Sequence, residues 1–155
     1  MDSTTELCWE MARSCVCFNL RKATRLVTQL YDAALRPSGL KTTQLTVLVA
    51  VNLGGSVPMS TLADLLGMDR TTLTRNLKSL REAGLVASAA GEDRRSRLIS
   101  LTEAGRTALE TTLPLWQEAQ RRATELLGEE RSGQLTPILT EVSRLVAQTR
   151  TEVRT

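Results

Sequence analysis

Three arginines, Arg94, Arg95 and Arg97, crowd a short polar turn in the second half of the chain. Two apolar runs, Leu85–Val86 and Leu98–Ile99, flank this turn, and the pattern predicts a β-hairpin with a loop longer than two residues. Packing gives no reason to concentrate guanidinium groups on an exposed hairpin, whereas a polyanion does. Arginine offers a flat, permanently charged fork that suits phosphate and can enter a narrow groove. The turn therefore predicts contact with a nucleic acid.

The cysteines are the other reactive side chains. Cys8, Cys15 and Cys17 lie close together near the N-terminus, which is not a disulfide framework in a chain of this size and fits a reducing compartment better. On one continuous helix, Cys15 and Cys17 would point about 200° apart, and Cys8 and Cys15 would lie ~10 Å apart along the axis. No such pair closes a disulfide without a neighbouring chain or local unwinding. Three roles stay open: apolar residues in a dimer interface, thiols that sense an oxidant, or ligands of a soft metal such as Cu(I) or As(III) bound across two chains.

Composition indicates one mainly helical domain with a local basic surface. The chain has 155 residues and only four aromatic side chains, so its core must consist of Leu, Val, Ala and Met. The formal net charge is +3. Residues 70–97 alone carry seven basic and three acidic side chains, a difference of +4 that exceeds the charge of the whole chain. The basic surface is therefore confined to this region.

Several classes of function are excluded or disfavoured by what the sequence lacks. The chain contains no histidine, which removes the Ser-His-Asp and Cys-His arrangements and most zinc chemistries. It shows no Gly-rich phosphate loop and no clustered acidic pair, so we predict no catalytic residues and no enzyme. No apolar run reaches the ~18 residues of a membrane span, and no basic-then-apolar leader opens the chain. We expect a cytoplasmic protein with no membrane partner. The alternative to a DNA-binding protein is a helical interaction protein without DNA binding.

Helical spacing and capping residues predict the elements that position these groups. Helical spacing predicts one helix from about residue 6 to residue 35, and the following Pro-Ser-Gly sequence ends it. Thr42 or Thr43 is expected to cap the second helix, and Ser60 a short third helix. The Val57–Pro58 pair is too short for more than one strand pairing.

A fourth helix, predicted from about residue 70 to residue 83, carries the basic surface. Asp69 is expected to cap it, and Leu73, Leu77 and Leu80 form one apolar stripe. The third and fourth helices, joined by Gly-Met-Asp, form a helix-turn-helix whose second helix can read a DNA groove. The N-terminal and outward side chains predicted to meet double-stranded DNA are Arg70, Thr71, Thr72, Thr74, Arg75 and Lys78.

Long helices are predicted on both sides of this centre. Thr102 is expected to cap a helix from residue 103 to about 127, and a last helix covers about 129–153. These terminal helices are too long to wrap around a centre of about 60 residues (42–101), so we expect them to pack against a second copy in a homodimer.

With these elements the chain resembles the MarR family of winged helix-turn-helix regulators. Asp93-Arg94-Arg95 and the following Leu98-Ile99-Ser100-Leu101-Thr102-Glu103-Ala104-Gly105 match the family's wing signature, and Leu62–Leu66 and Leu80–Val86 match its preceding segments. The resemblance implies a mainly α fold with a small β-wing. It assigns 36–102 to a winged helix-turn-helix DNA-binding lobe, and 1–35 with 103–155 to helical dimerisation. It further implies a homodimer on a pseudo-palindromic operator, usually a repressor with no required cofactor, released by a small molecule or oxidant.

The resemblance and the residue chemistry together suggest a role for each DNA-facing side chain. Arg75 is the best candidate to read guanine or clamp phosphate, and Lys78 is better placed for backbone phosphate. In the wing, Arg94 or Arg97 would enter the minor groove. Arg95 matches the family's signature arginine and would instead pair with Asp93 to hold the shape of the hairpin.

The sequence says less about the signal that releases DNA than about the residues that bind it. Cys17-Phe18 with Tyr31 fourteen residues later is similar to the organic-hydroperoxide-sensing branch of the family, in which two tyrosines hold a first-helix cysteine. Tyr31 matches one tyrosine, and Thr42 stands at the position of the other. The candidate sensor residues are thus Cys8, Cys15, Cys17 and Tyr31. The alternative effector is a small aromatic or anionic ligand in the cleft between the arms and the DNA-binding lobe.

Overall fold

Seven α-helices, one short 3-10 helix (Arg36–Ser38) and one small antiparallel sheet make up the part of the chain that the computed structural model describes, residues 2–91 and 97–152. The helices are α1 (Ser3–Ser14), α2 (Val16–Leu35), α3 (Thr42–Gly54), α4 (Met59–Leu65), α5 (Arg70–Glu82), α6 (Glu103–Leu127) and α7 (Glu129–Glu152). The strands are β1 (Ser56–Pro58), β2 (Val86–Ala90) and β3 (Arg97–Leu101). Along the described residues, none of the helices has the length and hydropathy to cross a bilayer. The predicted mainly α fold with a small β-wing is confirmed.

The hydrophobic core lies in the centre of the chain. It is built from the inward faces of α3 and α5, from α4 through Leu62, and from the sheet. The ends of the long helices nearest the centre join this core through Leu35 at the end of α2 and Leu109 in the second turn of α6. The central lobe therefore buries most of its own apolar side chains within one chain, although Leu53 and Leu65 are exposed.

The sheet has the strand order β1-β3-β2, with both pairings antiparallel. The hairpin strands β2 and β3 pair from Val86 opposite Leu101 to Ala90 opposite Arg97. The predicted hairpin is confirmed, and its strands are longer than the apolar runs that predicted it. The expectation of a single pairing for β1 is wrong, because Ser56, Val57 and Pro58 all pair with β3. Burial of Val57 against the core extends this short strand beyond what local propensity would support.

The predicted single helix over 6–35 is wrong, because it is broken at Cys15. The Cys15 backbone is extended, with φ −69° and ψ 113°, and its thiol sulfur accepts a 3.5 Å hydrogen bond from Phe18 N–H at the start of α2. The Asn19 side chain donates to the carbonyls of Cys15 at 2.9 Å and Ala12 at 3.4 Å, which satisfies acceptors on both sides of the break. The apolar spacing continues across the break, which is why the pattern concealed it.

Two of the predicted caps are correct and two are wrong. Asp69 caps α5 through a 2.9 Å bond from Thr72 N–H, and Thr102 caps α6 through a 3.0 Å bond from Gly105 N–H. Neither Thr42 nor Thr43 caps α3, because the helix already begins at Thr42. Ser60 does not cap α4 either: Pro58 precedes the helix, whose first residue is Met59, and Ser60 lies within its first turn.

Gly105 allows α6 to approach the loop before β2. A Cβ atom at this position would lie 2.0 Å from the Leu85 carbonyl oxygen and 3.0 Å from its carbon. The same carbonyl accepts a 3.1 Å hydrogen bond from Thr102 N–H, and the Thr102 hydroxyl donates to Gly84 O at 2.6 Å. The start of α6 is thus fixed against the end of α5, and only glycine fits the contact.

Gly105→Ala should destabilise the protein by at least the ~1–3 kcal/mol typical of overpacking, because a backbone carbonyl cannot rotate away as a side chain can. Gly133→Ala is the matched control: it makes the same change inside α7, where an added Cβ meets nothing within 4 Å. The control should be neutral or stabilising by up to ~1 kcal/mol. Urea unfolding at equal protein concentrations measures both, and equal stability of the two variants would contradict the close approach at Gly105.

Candidate nucleic-acid interface

The orientation of α5 is set by its apolar stripe. Leu73 and Leu80 are fully buried and Leu77 is nearly so. Because these positions share one face, the opposite face of the helix must point to solvent. The side chains on that exposed face include Arg70, Thr71, Thr74, Arg75 and Lys78, as the sequence predicted.

The N-terminus of α5 is held by Asp69. Its Oδ1 accepts from Thr72 N–H at 2.9 Å and its Oδ2 accepts from the Thr72 hydroxyl at 2.7 Å. These two hydrogen bonds lower the pKa of Asp69 below its ordinary value, and the bond from the Thr72 hydroxyl contributes more than the bond from the Thr72 backbone N–H. The carboxylate is therefore ionised at neutral pH, and this cap would be lost only as the pH falls through the lowered pKa.

The three threonines predicted to face DNA differ in what their hydroxyls can do. The Thr72 hydroxyl donates to Asp69, and the Thr74 hydroxyl donates to Arg70 O at 2.7 Å. The Thr72 and Thr74 hydroxyl groups therefore each donate their one proton within the chain and have none left to donate to DNA. Among the described residues, the Thr71 hydroxyl has no hydrogen-bond partner, so it is the threonine best placed to donate to a phosphate oxygen.

The cationic side chains of this face are free of strong ion pairs within the described ranges. Lys78 lies 3.8 Å from Glu82 one turn later, and both side chains are about two-thirds exposed. An exposed pair of this length contributes little stability, so Lys78 can exchange Glu82 for phosphate. Neither Arg70 nor Arg75 forms a salt bridge with any described residue, and both are exposed.

The wing is only partly within the described residues. Arg97 begins β3, opposite Ala90, and is exposed, while Ile99 and Leu101 on the same strand are buried and anchor it. The predicted roles of Asp93, Arg94 and Arg95 fall outside the residues that the structure describes and stay predictions.

Three residues near this face were missed by the sequence analysis: Asp32, Gln44 and Ser79. Asp32 on α2 contacts the start of α3, and Gln44 on α3 contacts Ser79 on α5. A glutamine at the third position of a helix is a recognisable capping signal, which could have indicated Gln44. Asp32 and Ser79 carry no local signal, because their partners lie on other helices.

The structure separates Tyr31 from the candidate sensor Cys17 within one chain. Cys15 is partly buried at the break between α1 and α2, and Cys8 and Cys17 are exposed. Tyr31 lies on the same uninterrupted helix as Cys17, fourteen residues and ~21 Å along the axis away, so it cannot hold that cysteine in its own chain. Its hydroxyl instead donates to Gln120 Oε1 on α6 at 2.6 Å, and burial raises the pKa of Tyr31.

A metal cluster is not evident within one chain over residues 2–91 and 97–152. No group of three His, Cys, Asp or Glu side chains is placed there to hold a metal ion. A depression of about 590 Å³ lies at the junction of α6 and α7. It is lined mainly by polar side chains: Gln117, Gln120, Arg121, Thr124, Glu125 and Glu129.

Comparison with known proteins connects this geometry to a family of regulators. A family model described as the MarR family matches residues 38–96. The HTH-type transcriptional regulator YwoH of Bacillus subtilis (strain 168) is 31% identical over 84 residues, which are 54% of this chain and 61% of YwoH. This chain thus spans about three-fifths of the length of that relative.

Among the solved structures that match over nearly their whole length are two transcriptional regulators. The transcriptional regulator MosR of M. tuberculosis, in a crystal structure with DNA, is 39% identical, with 88% of this chain and 99% of that chain covered and a TM-score of 0.79. A probable transcriptional regulator from Pseudomonas aeruginosa is 30% identical, with 83% and 97% covered and a TM-score of 0.75.

Proposed function

This chain belongs to the MarR family of transcriptional regulators, and on that premise we propose that it acts as a homodimer that binds a pseudo-palindromic DNA operator and represses transcription. The observation that carries the proposal is the outward, cationic face of α5, held in place by three buried leucines. An enzymatic role has no support, since the family and its structural relatives are regulators.

The proposed DNA contact places α5 in the major groove and the wing beside the minor groove. An α-helix fits the major groove of B-DNA, and residues near its N-terminus meet the base edges. Arg75 would read guanine or clamp phosphate, Arg70 and Thr71 would contact the bases or backbone at the helix start, and Lys78 would bind phosphate. Arg97 would reach the minor groove from the wing. The MosR structure was solved with DNA, which supports the same use of the shared fold here.

The exposed apolar surface of the long helices supports the homodimer. In α1 no residue is buried, and large apolar side chains along α1, α2, the end of α6 and α7 are exposed in the single chain, among them Trp9, Phe18, Leu126 at 73% and Ile138 at 57%. A patch extending over four helices marks an interaction surface. We assign 1–35 and 103–155 to dimerisation and 36–102 to the DNA-binding lobe, with a second copy of the chain as the occupant of this patch.

Release from DNA by the N-terminal thiols is a further part of the proposal. Cys15 lies at a break in the helix rather than inside it, so the assumption of one rigid helix around Cys15 and Cys17 does not hold. Oxidation of these thiols, or a soft metal bound by them across two chains, would act at the junction of two dimerisation helices. A small aromatic or anionic ligand between the arms and the lobe is the alternative effector.

Arg75→Ala should weaken binding to a duplex that the wild type enriches from a random library by about 1–3 kcal/mol, or roughly 5- to 150-fold, and should relax its sequence preference. Arg81→Ala is the control: it removes the same charge from the same helix, about 120° around its axis, and should have a smaller effect. Fluorescence anisotropy measures both affinities. Wild-type binding should also fall ~10³–10⁵-fold between 50 and 200 mM salt if 6–10 phosphates are contacted. Equal affinity of Arg75→Ala and the wild type would contradict the proposed contact.

Ile138→Glu should raise the dimer dissociation constant at least about tenfold, because a charge would be buried without a partner in both copies of a symmetric interface. Thr140→Glu adds the same charge to an exposed position two residues further along α7 and should leave the dimer intact. Light scattering after size-exclusion chromatography gives the mass of each. A monomeric wild type, or no difference between the two variants, would reject the assigned interface.

Hydrogen peroxide or a soft metal ion should release DNA from the wild type but not from the Cys15→Ser, Cys17→Ser double variant. Cys8→Ser is the control, since it removes a cysteine from α1 and leaves the thiols at the break in place; it should respond like the wild type. A gel-shift titration shows the outcome, and equal release from the wild type and the double variant would reject a thiol sensor.

A further inference from the structure

A chain of hydrogen bonds links the dimerisation helix α2 to the DNA-facing helix α5. The first link is Asp32, three residues before the end of α2. Its Oδ1 accepts from both the backbone N–H of Thr42, at 2.7 Å, and the Thr42 hydroxyl, at 2.6 Å. Thr42 is the first residue of α3. A carboxylate from one helix therefore holds the N-terminus of the next, where the helix dipole favours a negative charge.

The second link is Gln44, in the first turn of α3. Its Oε1 accepts from Lys41 N–H at 2.9 Å, and its Nε2 donates to the Ser79 hydroxyl on α5 at 3.0 Å. Ser79 is adjacent in sequence to Lys78 on the outward face. The same turn of α3 thus donates two hydrogen bonds to Asp32 on α2 and one to Ser79 on α5.

These hydrogen bonds constrain the orientation of α5, whereas the leucine core holds the helix in the lobe. Apolar burial is non-directional, so it holds α5 in the lobe but resists small rotations weakly. Hydrogen bonds are directional and weaken steeply when they lengthen by an ångström or more. The polar links are therefore suited to fix the angle between the dimerisation helices and the DNA-facing helix.

We propose that Asp32, Gln44 and Ser79 are positioning residues that set the separation of the two α5 helices, and hence the spacing of the DNA half-sites that the dimer accepts. This inference rests on the proposed function, a dimer with two DNA-facing helices. Successive base pairs rise by about 3.4 Å, so a change of one base pair in spacing requires each protomer to move its helix by about 1.7 Å. A movement of that size, taken up between α2 and α3 or between α3 and α5, would break bonds of 2.6–3.0 Å.

The test is selection of duplexes from a random-sequence DNA library by the purified full-length protein, followed by sequencing. The wild type should enrich half-sites at one separation. Asp32→Ala and Ser79→Ala should each enrich sites at that separation and at one base pair more or less. Discrimination should fall roughly tenfold or more in Asp32→Ala, which loses hydrogen bonds to a charged group, and roughly two- to tenfold in Ser79→Ala, which loses a bond between neutral groups. Asp32→Asn should retain the single separation, because its amide oxygen can still accept both bonds from Thr42.

Asp2→Ala is the matched control. It removes an aspartate cap with a 2.7 Å bond, from Thr5 N–H, at the start of α1 rather than beside the lobe. It should leave the spacing unchanged. If Asp32→Ala fails to fold by circular dichroism, Ser79→Ala decides alone, since its side chain is exposed and outside the core.

The outcomes separate this inference from the proposed function. If the wild type enriches no sequence, the proposed DNA binding fails. If the wild type enriches one spacing and Ser79→Ala retains it, the positioning role is overturned. Broadening in Asp2→Ala equal to that in the Asp32 and Ser79 variants would also overturn it, because loss of any helix cap would then suffice.

Discussion

The burial of Leu73, Leu77 and Leu80 determines how the rest of the DNA-facing surface is arranged. Each buried leucine contributes roughly 1.5–3 kcal/mol relative to exposure, so turning α5 by a quarter of a revolution would expose this stripe. Turning it by half a revolution would also drive the guanidinium group of Arg75, on the opposite face, toward an apolar core, at a far greater cost. The outward direction of the cationic face is therefore a consequence of core packing.

The lobe and the long helices differ in how completely they are packed. Residues of α3, α5 and the sheet are buried within one chain, whereas α1 and most of α7 are exposed despite their apolar side chains. Leu35 and Leu109 join the long helices to the core, and the contact of Gly105 with Leu85 fixes the start of α6. A second chain on the exposed helices would therefore position two lobes through these few junctions.

Features of this chain that depend on local interactions could be predicted from the sequence, whereas features that depend on contacts with other elements could not. The bounds of α5 could be predicted because Asp69 and the leucine stripe act locally. The break at Cys15 could not, because a thiol is a weak cap and the decisive contacts come from the Asn19 side chain. Thr42 was expected to cap α3 by its own chemistry, and Asp32 from another helix takes that role instead. Of the wing arginines, only Arg97 lies within the described part of the chain.

Hydroxyl-radical footprinting of the wild type on a duplex that it selects would show directly whether two α5 helices dock on one face of the DNA. A symmetric dimer should protect two backbone tracts related by a dyad, with centres about 10–10.5 base pairs apart or a multiple of that distance. A single protected tract, or uniform protection without a dyad, would contradict a symmetric dimer that reads DNA through the outward face of α5.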